Sequence, residues 1–194
     1  MLELEKASKM TDEELVILAL SDQDNFLYLI QRYKVKIFNF INRITNVLSE
    51  DAEDILQDIF LKVYLNLNDF NPELKFSSWI YQIARNQVIS NHRKIKARAE
   101  GYSSPINEEI AQGLICDLEM EKTLDQELLK KNIEKVLVSI KAKHREVLVL
   151  KFLEEKSYLE ISDIIKKPIG TVGSLMNKAK AEFKKELIRQ KIII

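Results

Sequence analysis

Glycine and proline are scarce in this chain, with four glycines and three prolines among 194 residues. Proteins rich in β-sheet need many tight turns, and those turns draw heavily on both residue types. The common residues are instead good helix formers such as leucine, lysine and glutamate. We therefore predict an all-α protein.

Cysteine, long apolar runs and net charge are also absent or nearly so. With Cys116 as the single cysteine, no disulfide can form within the chain, which suits a reducing compartment. No run of about 18 apolar residues is present to span a membrane, and the charged N-terminal segment is unlike a signal peptide. The 30 basic and 30 acidic residues give no overall attraction to nucleic acid. These features predict a cytoplasmic protein, without membrane insertion, that binds through local patches of charge.

Helical patterns fall into two halves, with a segment of different composition between them. Residues 100–123 hold two of the four glycines, one of the three prolines and no sustained apolar period, and Lys122 is their single base among several acids. We predict two small helical domains, 1–99 and 124–194, joined by a flexible acidic linker at 100–123.

Short local signals place the helices of the first half. Thr11 and Glu14 have the spacing of a capping box, in which each side chain binds a free amide at a helix start. An apolar stripe with helical spacing follows between Phe26 and Ile44, and another helix is predicted from Ser49. Asn71-Pro72 marks a loop before the next helix.

Charge is segregated along the chain although its sum is zero. Residues 50–58 carry five acids and no base, residues 75–99 carry six bases and no acid, and residues 178–191 have a net charge of +4. A charge run by itself is most often a solvated helix face. Each run therefore needs further evidence before a partner is assigned to it.

The C-terminal part has the pattern of two helices joined by a tight turn. Ser157 and Glu160 repeat the capping spacing, residues 168–170 are predicted as the turn, and Thr171 is predicted to cap the last helix. A helix-turn-helix that reads the major groove has this pattern. So does any hairpin of two helices with a Pro-Gly turn, and both interpretations stay open on spacing alone.

Two blocks of sequence resemble the sigma-70 family, and its extracytoplasmic-function (ECF) group in particular. "DAEDILQDIFLKVYLNL" with "FNPELKFSSWIYQIARNQVISNHRK" resembles region 2 of the family, and "HREVLVLKFLEEKSYLEISDIIKKPIGTVGSLMNKAK" resembles region 4. The order and separation of the blocks match as well, and the resemblance covers residues 11–187.

The resemblance implies that the helix containing "DILQD" docks on core RNA polymerase, at an arginine-rich coiled coil of the β′ subunit. The matching positions are Asp54, Gln57 and Asp58. A metal site is the rival interpretation of these carboxylates. It is disfavoured because neither a glycine-containing calcium loop nor a nearby histidine or cysteine accompanies them.

The resemblance also assigns the −10 promoter element to the loop and basic helix that follow. The family opens DNA by capturing an unstacked base, which needs a pocket and cations along the backbone. The matching positions are Asn71, Lys75, Phe76, Ser77, Arg85, Asn86, Asn91, His92, Arg93, Lys94 and Lys96. For Trp79, stacking on a base and packing in the core both stay open, and its place in an apolar stripe favours the core.

The same resemblance assigns the −35 element to the last helix, through Thr171, Ser174, Asn177 and Lys178. The family commonly has cations on both sides of this serine, whereas this chain has Gly173 and Leu175. Contacts to phosphate and guanine are lost with those cations. Binding of the −35 element is therefore expected to be weaker than in the family, or directed at A·T-rich DNA.

The predicted function is a dissociable promoter-specificity subunit that is not an enzyme. It needs no cofactor, metal or small-molecule substrate, and its partners are core RNA polymerase (the β′ coiled coil and the β subunit), promoter DNA and, by resemblance, an anti-sigma factor. The alternative is a free-standing helix-turn-helix regulator or adaptor that does not act through polymerase. The neutral net charge and acidic linker favour the first, because a sigma factor that bound DNA strongly alone would block promoters.

Overall fold

The structure, a computed structural model, describes residues 4–45, 49–100 and 124–192, and all regular elements in these ranges are helical. The all-α prediction is confirmed. Two compact units are present, one with most of residues 1–106 and the other with most of residues 107–194. The predicted linker lies outside the described residues except for Glu100, so the domain boundaries at 99 and 124 stay a prediction.

The first unit contains the helices before residue 101, and short 3-10 turns follow two of them at Gln23–Asn25 and Leu67–Asp69. Its α-helices are α1 (Leu4–Lys9), α2 (Asp12–Ser21), α3 (Phe26–Ile44), α4 (Ser49–Leu65) and α5 (Phe76–Glu100).

The capping box predicted at the start of α2 is present. The Glu14 N–H donates to Thr11 Oγ1 at 3.2 Å, and the Thr11 N–H donates to Glu14 Oε2 at 2.7 Å. Asp12, the first residue of α2, then joins this helix to α3 by accepting bonds from Arg32 Nη1 at 2.7 Å and from the Tyr33 hydroxyl. Burial, and the bond to Asp12, raise the pKa of Tyr33, so the hydroxyl stays protonated and donates.

The core of the first unit forms along the apolar stripe of α3. Leu29, Ile37 and Ile41 are fully buried at intervals of four or eight residues, which places them on one helix face. Phe40 from the same stripe packs edge-on against Tyr81 of α5, with ring centroids 5.0 Å apart. Such aromatic pairs add about 0.5–1.5 kcal/mol to the burial of their area.

The second unit is built from the helices after residue 123. They are α6 (Leu124–Ser139), α7 (Ala142–Leu148), α8 (Tyr158–Ile165) and α9 (Ile169–Arg189), with a π-helical turn at Val149–Leu153 after α7. α7 packs chiefly against α9. The buried His144 of α7 binds the Glu182 carboxylate of α9 through Nδ1, and this hydrogen bond lowers the pKa of Glu182.

The capping box at the start of α8 is also present. The Glu160 N–H donates to Ser157 Oγ at 3.2 Å, and the Ser157 N–H donates to Glu160 Oε2 at 2.8 Å. Local hydrogen bonds between residues three apart therefore fix the beginning of both α2 and α8, as their sequence spacing predicted.

The turn between α8 and α9 lies earlier than predicted. Lys166 ends α8 in the left-handed conformation (φ 53°, ψ 52°), and α9 begins at Ile169 with Pro168 as its N-cap. The Pro168 carbonyl accepts from the Thr171 N–H at 2.8 Å. Thr171 therefore lies within the first turn of α9, and the prediction that it caps this helix was wrong, because Lys166 reverses the chain before Pro168.

Candidate polymerase and nucleic-acid interfaces

One face of α4 is buried and the opposite face carries the predicted polymerase contacts. Ala52, Ile59 and Val63 are fully buried at helical spacing, which holds α4 against the first unit. Asp54, Gln57 and Asp58 all lie on the exposed side. The side chains of Asp54 and Gln57 have no hydrogen-bond or ion-pair partner among the described residues and are exposed, so their polar groups face solvent.

Two leucines extend this exposed side toward the C-terminal end of α4. Leu61 and Leu65 are 57% and 65% exposed. They follow Asp58 at intervals of three and seven residues, which is the spacing of one helix face. Sequence reasoning missed them, although the signal was present, since both leucines fall outside the apolar stripe that packs α4. We refer to Asp54, Gln57, Asp58, Leu61 and Leu65 as the docking face.

Asp58 differs from Asp54 and Gln57 because its side chain is hydrogen bonded to α5. Gln87 of α5 donates from Nε2 to Asp58 Oδ2 at 2.7 Å, and Lys62 Nζ donates to the Oε1 of the same amide. Gln87 is only 5% exposed. A polar chain of Lys62, Gln87 and Asp58 therefore joins the two helices.

The loop before α5 is short and internally hydrogen bonded. Asn71 Oδ1 accepts from the Glu73 N–H at 3.0 Å, which is an Asx turn, and Asn71 and Lys75 are exposed. The Phe76 N–H, at the first residue of α5, donates to Glu13 Oε1 of α2 at 2.9 Å. Ser77 is half-buried.

The assignment of Phe76 to the DNA contacts needs correction. Its side chain has no exposed surface and packs among Tyr33, Phe70 and Trp79, with ring centroids 5.5 to 5.7 Å away. Phe76 is a core residue, because the first turn of α5 points it inward. The loop residues beside it keep their exposure.

A shallow, largely open depression of about 330 Å³, called the cavity below, lies between the C-terminal end of α4 and the first half of α5 in the first unit. Trp79 is half-buried at its edge and packs against Phe70, with ring centroids 5.3 Å apart. The cavity is lined by Lys62, Asn66, Asp69, Trp79, Ile83 and Asn86. Of these residues, the sequence predicts only Asn86 as a contact, and for Trp79 it keeps both base stacking and core packing open. Lys62, Asn66 and Asp69 come from another part of the chain, so local sequence carries no signal that brings them here.

The remaining predicted −10 contacts lie along α5. The consecutive residues His92, Arg93 and Lys94 are exposed, whereas Arg85 and Asn91 are half-buried. The side chain of Lys96 lies outside the described residues. The exposed cations therefore cluster in the second half of α5, beyond the cavity.

The predicted −35 contacts lie on the outer side of α9. Ser174, Asn177 and Lys178 are exposed, and Thr171 is half-buried. Val172, Met176 and Ala179 are fully buried on the inner side. Ser174 Oγ donates to the Thr171 carbonyl at 2.9 Å, which leaves the hydroxyl oxygen as an acceptor.

Gly173 and Leu175, the two departures in α9, have different surroundings. A Cβ at Gly173 would meet no atom within 4 Å, so a Cβ fits there without rearrangement. Leu175 is half-buried beside the fully buried Met176. The apolar residue at 175 therefore contributes to packing, whereas the glycine at 173 meets no packing requirement.

Comparison with known proteins gives the family. Sequence models of sigma-70 region 2 and sigma-70 region 4 match residues 29–98 and 130–183. The ECF RNA polymerase sigma factor SigW of Bacillus subtilis is 33% identical over 86% of this chain and 90% of SigW. The chain belongs to the ECF sigma factors. The ECF sigma-E factor of Escherichia coli K12 is 28% identical to this sigma factor over 90% of the chain and 93% of that protein.

Solved structures share the fold of this sigma factor. CnrH, solved in complex with the cytosolic domain of CnrY, matches with a TM-score of 0.67 at 20% identity over 92% of this chain and 97% of CnrH. The sigma factor RpoE of Bartonella quintana, solved with the anti-sigma factor NepR, matches with a TM-score of 0.70 at 21% identity, over 84% and 96% of the two chains.

The family sets what kind of protein this is. Sigma factors are promoter-specificity subunits of RNA polymerase. Within residues 4–45, 49–100 and 124–192, no group of three or more histidine, cysteine, aspartate or glutamate side chains is placed to hold a metal ion. No helix in the described part of the chain has the length and apolarity that crossing a membrane requires.

Proposed function

We propose that this sigma factor binds core RNA polymerase through the docking face of α4 and opens promoter DNA with the loop and α5. The observation that carries the proposal is the presence of both surfaces on one compact unit: an acidic helix face, and a cavity beside a basic helix. The chain itself performs no chemistry in this proposal, and its action is cytoplasmic, where core polymerase is found.

The docking face suits a basic, arginine-rich partner such as the β′ coiled coil. Asp54 offers an exposed carboxylate to a guanidinium, and Gln57 offers both a donor and an acceptor. The aliphatic stem of an arginine covers apolar surface while its charged end stays paired. Leu61 and Leu65 provide such surface at the end of the face.

The cavity suits one unstacked base of the −10 element. Trp79 offers part of its ring for stacking, which contributes about 1–3 kcal/mol per base in proteins that bind single strands. Asn86 offers an amide that pairs with a base edge, and Lys62 offers a cation to the backbone. Asn71 and Lys75 then approach from the loop, and the exposed cations of α5 follow the displaced strand.

The outer side of α9 is proposed to contact the −35 element. Asn177 is suited to adenine and Lys178 to phosphate, while Ser174 contributes an acceptor. Gly173 brings no cation, so few phosphate contacts hold the helix in the groove. The β subunit and an anti-sigma factor complete the proposed partners, the latter because RpoE was solved bound to one.

Transcription in vitro tests this function. The full chain is combined with the cognate core polymerase and a library of random promoters, with core polymerase alone as the background. We expect core-dependent transcripts whose start sites share one pair of −35 and −10 sequences. Sequence-specific DNA binding without core polymerase, together with no core binding, would contradict the proposal and support the free-standing regulator.

A further inference from the structure

We propose that Gln87 is a positioning residue that fixes Asp58 on the docking face and Lys62 at the cavity simultaneously. One buried amide would then make core polymerase binding and DNA binding depend on each other. This inference rests on the proposed function, because it assigns a role to the contact between the two proposed surfaces.

The geometry uses both ends of the Gln87 amide. Nε2 donates to Asp58 Oδ2 at 2.7 Å, and Oε1 accepts from Lys62 Nζ. Asp58 and Lys62 lie four residues apart on α4, close enough for a direct ion pair. In the structure each binds the amide of Gln87 instead, so an α5 side chain sets the position of both charges.

Burial makes this arrangement specific. Gln87 is 5% exposed, and a buried amide is stable only when its polar atoms are paired. Asp58 and Lys62, in contrast, are exposed. The orientation of both charged groups is therefore set by a buried residue, whereas an exposed lysine otherwise samples many rotamers.

The two surfaces are coupled through the same amide. Asp58 belongs to the exposed docking face, and Lys62 lines the cavity together with Trp79 and Asn86. Hydrogen bonds in a chain polarise one another, so a cation bound at Asp58 changes how strongly Gln87 holds Lys62. Linkage requires the reverse effect to be equal: DNA bound at Lys62 changes the affinity for polymerase by the same factor.

The central variant is Gln87→Met, which keeps the length and flexibility of the side chain and removes both hydrogen bonds. Gln82→Met is the matched control, because Gln82 lies on the same helix, is half-buried, and has no side-chain hydrogen bond or ion pair among the described residues. Both variants are made in the full chain. The readouts are affinity for cognate core polymerase, permanganate reactivity of the melted −10 region on a selected promoter, and the melting temperature of the free protein.

We expect Gln87→Met to lower both core affinity and promoter opening by roughly three- to tenfold, a coupling typical of residues in one network. Gln82→Met should lower neither. Double variants then test whether the effect of Gln87→Met acts through Lys62 and Asp58. In a Lys62→Met background, Gln87→Met should have little further effect on opening, and in an Asp58→Ala background it should have little further effect on core affinity.

Two results would overturn the positioning role. One is unchanged core affinity and opening in a folded Gln87→Met protein. The other is an effect of Gln87→Met that is the same size in all three backgrounds and follows the melting temperature, since that describes a loss of fold stability. Failure of the proposed function is recognised separately, because the unaltered chain would then neither bind core polymerase nor open the promoter, and the inference would fail with it.

Discussion

The carboxylate of Glu13 accepts a hydrogen bond from the backbone N–H of Phe76, so α2 caps the N-terminus of α5. The residue before Phe76 is Lys75, whose side chain has no oxygen to serve as the usual cap. A residue 63 positions earlier supplies it instead. The start of the helix that carries the proposed DNA contacts therefore depends on the packing of α2.

Removing this cap should weaken the first unit. Glu13→Ala is expected to lower the free energy of unfolding by about 1 kcal/mol, as for other lost helix caps. Hydrogen exchange at the first turn of α5, followed in the full chain, measures the effect locally. Glu53→Ala, at an exposed position of α4, is the control. Equal protection in Glu13→Ala and the unaltered chain would show that the cap contributes nothing.

The docking face should dominate affinity for polymerase. Asp54→Ala combined with Gln57→Ala is expected to weaken binding of cognate core polymerase by roughly thirtyfold or more, as for residues central to an interface. The melting temperature should not change, because both side chains are exposed. Asp51→Ala removes a charge from the exposed first turn of the same helix as a control. If Asp51→Ala lowered the affinity for core polymerase by the same factor, the effect would come from the charge of the helix and not from specific contacts.

The exposed cations of α5 should contribute to the salt dependence of −10 DNA binding. Replacing Arg93 and Lys94 by alanine removes two contacts to single-stranded phosphates, so the slope of log affinity against log salt should fall by about 1.4. Filter binding of the holoenzyme to a forked −10 DNA measures this slope. Lys34→Ala with Lys130→Ala removes two exposed charges elsewhere. If the slope did not change in the α5 variant, Arg93 and Lys94 would not contact DNA.

Restoring a cation in α9 should strengthen −35 binding. Gly173→Lys adds one phosphate contact, which should steepen the salt slope by about 0.9, and a Cβ at this position meets open space. Gly173→Ala is the control, since both variants gain about 1 kcal/mol of helix stability over glycine. Holoenzyme binding to DNA with the selected −35 element is the measurement. If Gly173→Ala tightened binding as much as Gly173→Lys, the cause would be helix stability and not the added cation.

Acid should weaken the second unit partly through Glu182. The hydrogen bond from His144 lowers the pKa of this carboxyl below its ordinary value of 4.5. The stability it contributes is therefore complete above pH 4.5 and is lost as pH falls through the lower, folded-state pKa. Glu182→Gln should destabilise α7 and α9 at neutral pH, and the difference from the unaltered chain should shrink in acid. Hydrogen exchange on both helices at a series of pH values checks this, and a difference that grows in acid would contradict it.

The parts of the fold that were predicted correctly depend on residues close in sequence. The capping boxes at Thr11 and Ser157 need only a partner three residues away, and the stripe of α3 needs only helical spacing. The turn before α9 was misplaced because Lys166 adopts a left-handed conformation that favours glycine, and lysine gives no warning of it.

The parts that were missed depend on residues far apart in sequence. Gln87 meets Asp58 and Lys62 across 29 and 25 positions, so no local pattern pairs them. The family resemblance assigns Phe76 to the DNA contacts. Its ring nevertheless packs against Tyr33 of α3 and against Phe70, just before the loop. A motif identifies which segment binds, whereas packing decides which of its side chains reach the surface.

The burial of Phe76 also has a consequence for the loop before it. Phe70 and Phe76 are both buried and pack edge-on, with ring centroids 5.6 Å apart, so they hold the two ends of the loop at 71–75 close together. The loop is thereby preorganised: its conformational entropy is lost when the first unit folds and not when DNA arrives. A flexible loop would lose that entropy with each promoter it bound, whereas the proposed DNA contact of this loop would begin from a loop that is already ordered.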